Sequence, residues 1–285
     1  MSRVVVTGGS GKLGQAVVEH LLAHGFEVVN VDRAPPPTPG AAPFIRADLT
    51  VYGQALEVLS AVDDRYAEVD ALVHLAAIPA PGLTTNAGTF ANNMVTTFNV
   101  FTAAIAAGIT NIVWASSETV LGLPFDTPPP YVPVDEEYPA RPESTYALVK
   151  HLEETMAVEL CRWNPALKMI GLRFSNVMAV EDYAVFPSFD SDPQIRSWNL
   201  WSYIDRRDAA QAVRKALEYR GMGVDVFIIA NQDTVMTRPN AELLTELYPE
   251  VPPKREFGPN ETLLAIDKAR RILGYEPEHT WRNHV

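Results

Sequence analysis

"VVVTGGSGKLGQAVVEHL" (residues 4–21) passes from three β-branched residues into Gly8, Gly11 and Gly14 and out into an amphipathic stretch. It reads as strand, glycine loop and helix. Glycines in such a loop let the backbone turn tightly and approach a pyrophosphate, which rests on the helix N-terminus, where unpaired N–H groups and the helix dipole favour negative charge. A mononucleotide phosphate loop would need Gly at position 6 and Ser or Thr after Lys12, but Val6 and Leu13 stand there. A tight turn without any ligand is the plainer alternative. Asp32, about 20 residues further on at the end of "VVNVD" (28–32), favours dinucleotide binding. A carboxylate there can accept hydrogen bonds from both ribose hydroxyls of NAD and would repel a 2′-phosphate, so NAD is expected. The adjacent Arg33 could instead hold the 2′-phosphate of NADP, and that cofactor stays open.

Outward from this unit the pattern repeats. "EVVNVDR" (27–33), "DALVHLAA" (70–77), "NIVWASSE" (111–118) and "KMIGLRF" (168–174) are short apolar runs, and "NNMVTTFNVFTAAIAAG" (92–108) is helix-length and ends in Gly. Strands alternating with helices indicate βαβ units and a parallel sheet, and continuous rather than alternating apolar strands fit a sheet covered on both faces. The expected fold is α/β, a Rossmann-type doubly wound parallel sheet with a small C-terminal substrate lobe. Residues 1–173 form the NAD-binding part, 204–230 ("DRRDAAQAVRKALEYRG", "DVFIIAN") return to it, and the rest of 174–285 is mainly the lobe. The Pro-rich stretches 34–40 and 124–142 are expected as surface loops at the rim of the site, because each follows a strand and ligands sit beyond the carboxyl ends of such strands.

The bulk numbers exclude several classes. A chain of 285 residues, 47% hydrophobic, can bury a sizeable core. A net charge of -12 without clustered Lys and Arg argues against a nucleic-acid partner. Cys161 is the single cysteine, so no intrachain disulfide can form and a reducing compartment is expected. The opening "MSRVVVTGG" lacks a signal h-region and no apolar segment approaches spanning length, so the expected location is cytoplasmic, away from a membrane.

The loop TGxxGxxG (7–14) is joined in order by "ADL" (47–49), "HLAA" (74–77), "NMVTTFNV" (93–100), "SSETVLG" (116–122), "YALVK" (146–150) and "IDKARRILGYEP" (266–277). This set resembles the extended short-chain dehydrogenase/reductases, the NAD-dependent epimerase/dehydratase family, over nearly the whole chain. By motif the resemblance implies Ser117, Tyr146, Lys150 and Asn93 as catalytic residues. It implies a cofactor site of Gly8, Gly11, Lys12, Leu13, Gly14, Asp32, Arg33, Asp48, Leu49, Leu75, Ala76 and Ala77, with Tyr146, Lys150 and Ser175. Tyr146 and Lys150 share a helix face. A phenol is a poor base at neutral pH, and a neighbouring ammonium and the nicotinamide cation favour its phenolate. Tyr146 would then take a proton from a substrate hydroxyl while hydride leaves the same carbon, with Ser117 holding the oxygen.

Departures from the pattern narrow the chemistry. Dehydratases of this family carry an Asp-Glu pair after the position of Ser117; here Glu118 keeps one acid and Thr119 replaces the other, which disfavours dehydration. The compact layout resembles the family's uronate dehydrogenases. Ser117, Glu118, Asn176 and Arg196 are expected at the substrate, a sugar or sugar acid, with Arg196 offering a bidentate fork to a carboxylate. A nucleotide-sugar epimerase holding its NAD tightly is the alternative, and a non-catalytic NAD-sensing protein the alternative of another class. A homodimer through the helices of Asn93 and Tyr146 is expected, as in the family. His20 and His24 are four apart but have no third ligand in view, so no metal is expected. The acidic pairs Glu136–Glu137 and Asp63–Asp64 read as solvated, and Trp198 and Trp201 as sugar-stacking or core residues.

Overall fold

A computed structural model describes residues 2–284 except 63, 64 and 67, so the pair Asp63–Asp64 lies outside the described residues. The elements are β1 (Arg3–Thr7), α1 (Lys12–Ala23), β2 (Glu27–Asp32), β3 (Phe44–Arg46), α2 (Tyr52–Ser60), β4 (Ala71–His74), α3 (Asn86–Ala106), β5 (Asn111–Ser117) and α4 (Thr145–Trp163), then β6 (Lys168–Phe174), β7 (Val177–Met178), α5 (Gln194–Ser197), β8 (Ile204–Asp205), α6 (Arg206–Glu218), β9 (Gly223–Ile229), α7 (Asn240–Leu247) and α8 (Asp267–Leu273).

Seven strands form one parallel sheet in the order β3-β2-β1-β4-β5-β6-β9, and β7 pairs with β8 apart from it. The apolar runs explain the layers. In β1, Val4 and Val6 join the core under α1 and α6, and Val5 joins the core under α2, α3 and α4. All three are fully buried. Burying such a side chain stabilises by roughly 1.5–3 kcal/mol, so both faces must stay covered. The strand order reverses between β1 and β4, and the crevice beyond their carboxyl ends is where ligands bind in such sheets.

β3 and α2 had no counterpart among the strands and helices expected from sequence. β3 has three residues at the sheet edge, too few to display a period. The 34–40 stretch is a mostly exposed loop after β2, as expected. The 124–142 stretch differs from the surface loop expected of it: Phe125, Val132, Val134 and Tyr138 are buried. Its backbone is paired, with Val132 and Val134 N–H donating to Pro252 and Leu263 O at 3.1 and 2.9 Å. Proline removes its own donor but leaves the neighbouring residues free to bond, and the C-terminal segment supplies partners the sequence did not advertise. Glu136 likewise is half-buried, its Oε1 accepting from Ile228 N at 2.8 Å, and burial pushes its carboxyl up. Glu137 stays exposed and pairs with Lys254.

Candidate active site

A cavity of about 830 Å³ opens at the switch point. Gly8, at the end of β1, has φ +73, and a Cβ on it would lie 2.6 Å from Ala76 N, the backbone just after β4. Only glycine allows this close approach. Gly11 precedes α1 with no side-chain cap, so the first N–H groups of that helix face the cavity mouth unbonded by any side chain. A Cβ on Gly14 would meet Gly8 O at 2.1 Å, which keeps the loop flat against the helix. At the end of β2, Asp32 lines the cavity and accepts from Ser10 N at 3.1 Å and Arg33 N at 2.7 Å. An uncapped helix start, glycines with no room for a side chain and an acid at the end of β2 fit a dinucleotide.

Of the residues expected at the cofactor, Gly8, Gly11, Lys12, Leu13, Gly14, Asp32, Arg33, Leu49, Leu75, Ala76, Ala77, Tyr146, Lys150 and Ser175 line this cavity. Asp48 does not. Its carboxylate accepts from Arg33 Nη2 at 2.8 Å and from the Thr50 hydroxyl at 2.7 Å, and the Arg33 bond above all holds it down at about 2. Arg33 is thereby paired, which makes it a poorer host for a 2′-phosphate.

At the inner end, Ser144 caps α4 by accepting from Ala147 N at 3.1 Å, fixing the register that brings Tyr146 and, one turn on, Lys150 to the cavity. Ser117 ends β5. Its Oγ accepts from Thr119 N at 3.2 Å and Thr119 Oγ1 at 3.0 Å. Both acceptor positions of the hydroxyl are filled, so its proton is free to be donated into the cavity. Thr119, where a second acid was missing, is thus the residue that orients Ser117. Lys150 Nζ donates to Ala115 O at 2.8 Å and to Glu153 Oε2 at 2.9 Å, keeping its third proton for the cavity. Burial pushes the Tyr146 phenol up; Lys150 pulls it down and Glu153 and Glu118 push it up again.

Glu118 and Asn176 line the cavity and Asn93 and Arg196 do not. Asn93 is fully buried, its Oδ1 accepting from Ile78 N at 2.8 Å and its Nδ2 donating to Ile78 O at 3.0 Å. It braces the wall loop after β4 (Ile78–Pro81), and its neighbour Asn92 is the one at the cavity. Arg196, expected at a substrate carboxylate, is turned away: its Nη2 donates to Ser202 O at 2.6 Å and its guanidinium lies 5.1 Å from the Trp198 ring centre. The reason is a tight reversal in which Leu200 and Trp201 take left-handed φ of 55 and 58. Trp198 is left on the cavity wall and Trp201 fully buried in the core. His20 accepts from Arg214 Nε at 3.1 Å and stacks on His24, an arrangement of packing.

Glu118 was legible as an acid but its environment was not. It is 3% exposed, Oε1 accepts from Asn199 Nδ2 at 3.2 Å and Oε2 has no partner. Burial pushes its carboxyl up to about 7, against the pull of Ser175, Asn199 and Arg196. With the native value above the ordinary 4.5, the folded state binds more protons than the unfolded one between these limits. The contribution is full below 4.5 and is lost as pH rises through about 7. Glu118→Gln should remove it. The stability of wild type minus that of the variant, from denaturant melts, is expected to fall by on the order of 3 kcal/mol across that window. A flat difference would rule out the raised value.

Comparisons with known proteins accord with this geometry. The family model described as NAD dependent epimerase/dehydratase family matches residues 4–230. The chain is 26% identical over 311 residues to the UDP-glucose 4-epimerase of Corynebacterium glutamicum, taking in 98% of this chain and 92% of that one. The match to the Bacillus subtilis UDP-glucose 4-epimerase, 29% identical, takes in 70% of this chain and 59% of that protein. Among solved structures, a UDP-galactose 4-epimerase superposes with a TM-score of 0.70 at 26% identity, covering 98% of this chain and 94% of that one. A mutated uronate dehydrogenase shares the fold, with a TM-score of 0.67 at 18% identity over 99% of this chain and 83% of that one.

Proposed function

We propose, from the premise that this chain belongs to the NAD dependent epimerase/dehydratase family, that it is a dehydrogenase oxidising one carbinol of a neutral sugar. The observation that carries the substrate class is charge. The cations lining the cavity among the described residues are already paired: Lys12 with Asp182, Arg33 with Asp48, and Lys150 with Glu153, at 2.8, 2.8 and 2.9 Å. A carboxylate or a second diphosphate would find no unpaired cation there. Ser117, Asn92, Ser144, Asn176 and the Trp198 ring suit a polyhydroxylated neutral ring instead.

Bound at the glycine loop and Asp32, NAD supplies the hydride acceptor. Ser117 donates to the substrate oxygen, oriented by Thr119. Tyr146 receives the proton of that hydroxyl, and Lys150 offers its remaining proton to the cofactor ribose. The second reading, a nucleotide-sugar epimerase, is favoured by the names of the curated relatives. Against it, no described residue beyond Trp198 lines the cavity, so the segment from 174 onward, which we treat as the substrate lobe apart from the 204–230 return, contributes little wall for a nucleotide.

Purified protein with NAD and a panel of aldoses, uronates and nucleotide sugars should accumulate NADH with a neutral aldose, and respond less to NADP because of Asp32. Epimer formation from a nucleotide sugar without NADH would reject the dehydrogenase. NAD binding with no turnover on any substrate would favour an NAD sensor.

We also propose a cytoplasmic homodimer. Cys161 as the single cysteine supports the compartment, and no helix among the described residues is long and apolar enough to cross a membrane. Phe90, Val95 and Phe98 on α3 and Leu148 and Val158 on α4 are exposed apolar side chains on two helices that pack together. Light scattering is expected to give twice the 31.4 kDa chain mass; the single-chain mass at micromolar concentration would oppose the dimer.

A further inference from the structure

Behind Tyr146 runs a buried line of polar groups that the proposed chemistry has not used. Glu153 is 0% exposed, and its Oε2 accepts from Lys150 Nζ at 2.9 Å. Its Oε1 accepts from Thr97 Oγ1 of α3 at 2.9 Å. Thr97 Oγ1 lies 3.2 Å from His74 Nε2, and His74 Nδ1 lies 2.7 Å from Thr7 Oγ1 at the end of β1. Donor arithmetic fixes the direction. The Thr97 proton goes to the carboxylate, so Thr97 Oγ1 accepts from His74 Nε2–H, and His74 Nδ1 accepts the Thr7 proton. This is one neutral tautomer of His74, whose imidazole burial holds far down at about 3. Burial pushes the Glu153 carboxyl up, but it stays a carboxylate beside the Lys150 ammonium, which pulls it down together with the Lys150 and Thr97 hydrogen bonds, and every donor in the line points toward it.

We propose that Glu153 is a positioning residue that cancels the charge of Lys150, so that Tyr146 keeps its proton until positive charge enters the cavity with the oxidised cofactor. The inference rests on the reading of Tyr146 as the acid–base group. Lys150 would otherwise favour the phenolate at all times. Paired with a carboxylate inside the fold, it presents almost no net charge, and the deciding charge becomes that of the bound ligand. Burial pulls the Lys150 ammonium down, but Glu153, Tyr146 and Glu154 together outweigh this and hold it up, so the lysine stays charged and paired. The other groups facing Tyr146 are Ser117 and Glu118, and the second acid near Lys150, Glu154, is neutralised by Arg173 at 2.7 Å. Glu118 is unchanged by a substitution at 153, so Glu153→Gln compared with wild type reads the Lys150–Glu153 pair.

The test is a pH titration of protein carrying ¹³Cζ-labelled tyrosine, with the Tyr146 signal assigned by its loss in Tyr146→Phe. In the cofactor-free wild type, Tyr146 is expected to titrate at or above the free-phenol value of about 10, and NAD⁺ but not NADH should lower it. In Glu153→Gln, which keeps the side-chain volume and a partner for Thr97, the cofactor-free midpoint should drop by about one pH unit or more, as for a phenol beside an uncompensated ammonium. An unmoved midpoint in that variant would mean that Glu153 only ties α3 to α4 and would overturn the proposal. Should the variant fail to fold, a wild-type midpoint well below 10 without cofactor overturns it equally. No turnover is read, so failure of the substrate assay and failure of this inference remain distinct.

Discussion

Tyr146→Phe is expected to bind NAD as the wild type does and to lose turnover by roughly 10²–10⁴-fold, the range for removing a general acid–base. The side chain is 8% exposed and lies against the cavity, so deleting its oxygen changes the packing volume little and removes only the group that exchanges a proton with substrate. Ser117 and Lys150 would remain in place, because Ser117 is held by Thr119 and Lys150 by Ala115 and Glu153, bonds that the substitution leaves intact. Fluorescence titration with NAD and initial rates on the best substrate of the panel separate the two properties. Activity within a few-fold of wild type would remove Tyr146 from the chemistry.

Gly14→Ala should act on the other half of the site. The added methyl would sit 2.1 Å from Gly8 O and 2.6 Å from Gly9 Cα, backbone atoms that cannot step aside singly. The glycine loop must shift from the start of α1. Overpacking of this kind costs about 1–3 kcal/mol of stability. The same shift should weaken NAD binding on the order of 100-fold, equivalent to about 2.7 kcal/mol. Gly53→Ala in α2 is the matching control: nothing lies within 4 Å of its new methyl, and a helical Gly replaced by Ala gains about 0.5–1 kcal/mol. Thermal melts with and without NAD would show the contrast. Equal NAD-induced stabilisation in Gly14→Ala and wild type would contradict the assigned role of the loop.

The sequence by itself determined what is written in short spacings. Val4 to Val6 followed by Gly8, Gly11 and Gly14 specify a buried strand, a loop with no room for side chains and a helix start, because each feature depends on neighbours within one turn or one pleat. Tyr146 and Lys150 lie one turn apart under a Ser144 cap, so their shared face was legible too. "LEE" (152–154) carried a faint signal as well, acids three and four residues after Lys150 on the same side of a helix. Which acid faces the lysine was decided only by tertiary structure: Glu153 meets Lys150 and Thr97, while Glu154 turns to Arg173 and Ser116. The same holds for Arg196, drawn inward by the left-handed turn at Leu200 and Trp201, and for Asn93, which bonds the backbone of Ile78 fifteen residues away. Glu118 meets Asn199 across 81 residues of chain. A side-chain period encodes which face of an element is buried, but the partner on that face is set by how crossovers stack distant elements, and burial of polar atoms then selects the one pairing that leaves fewest unsatisfied.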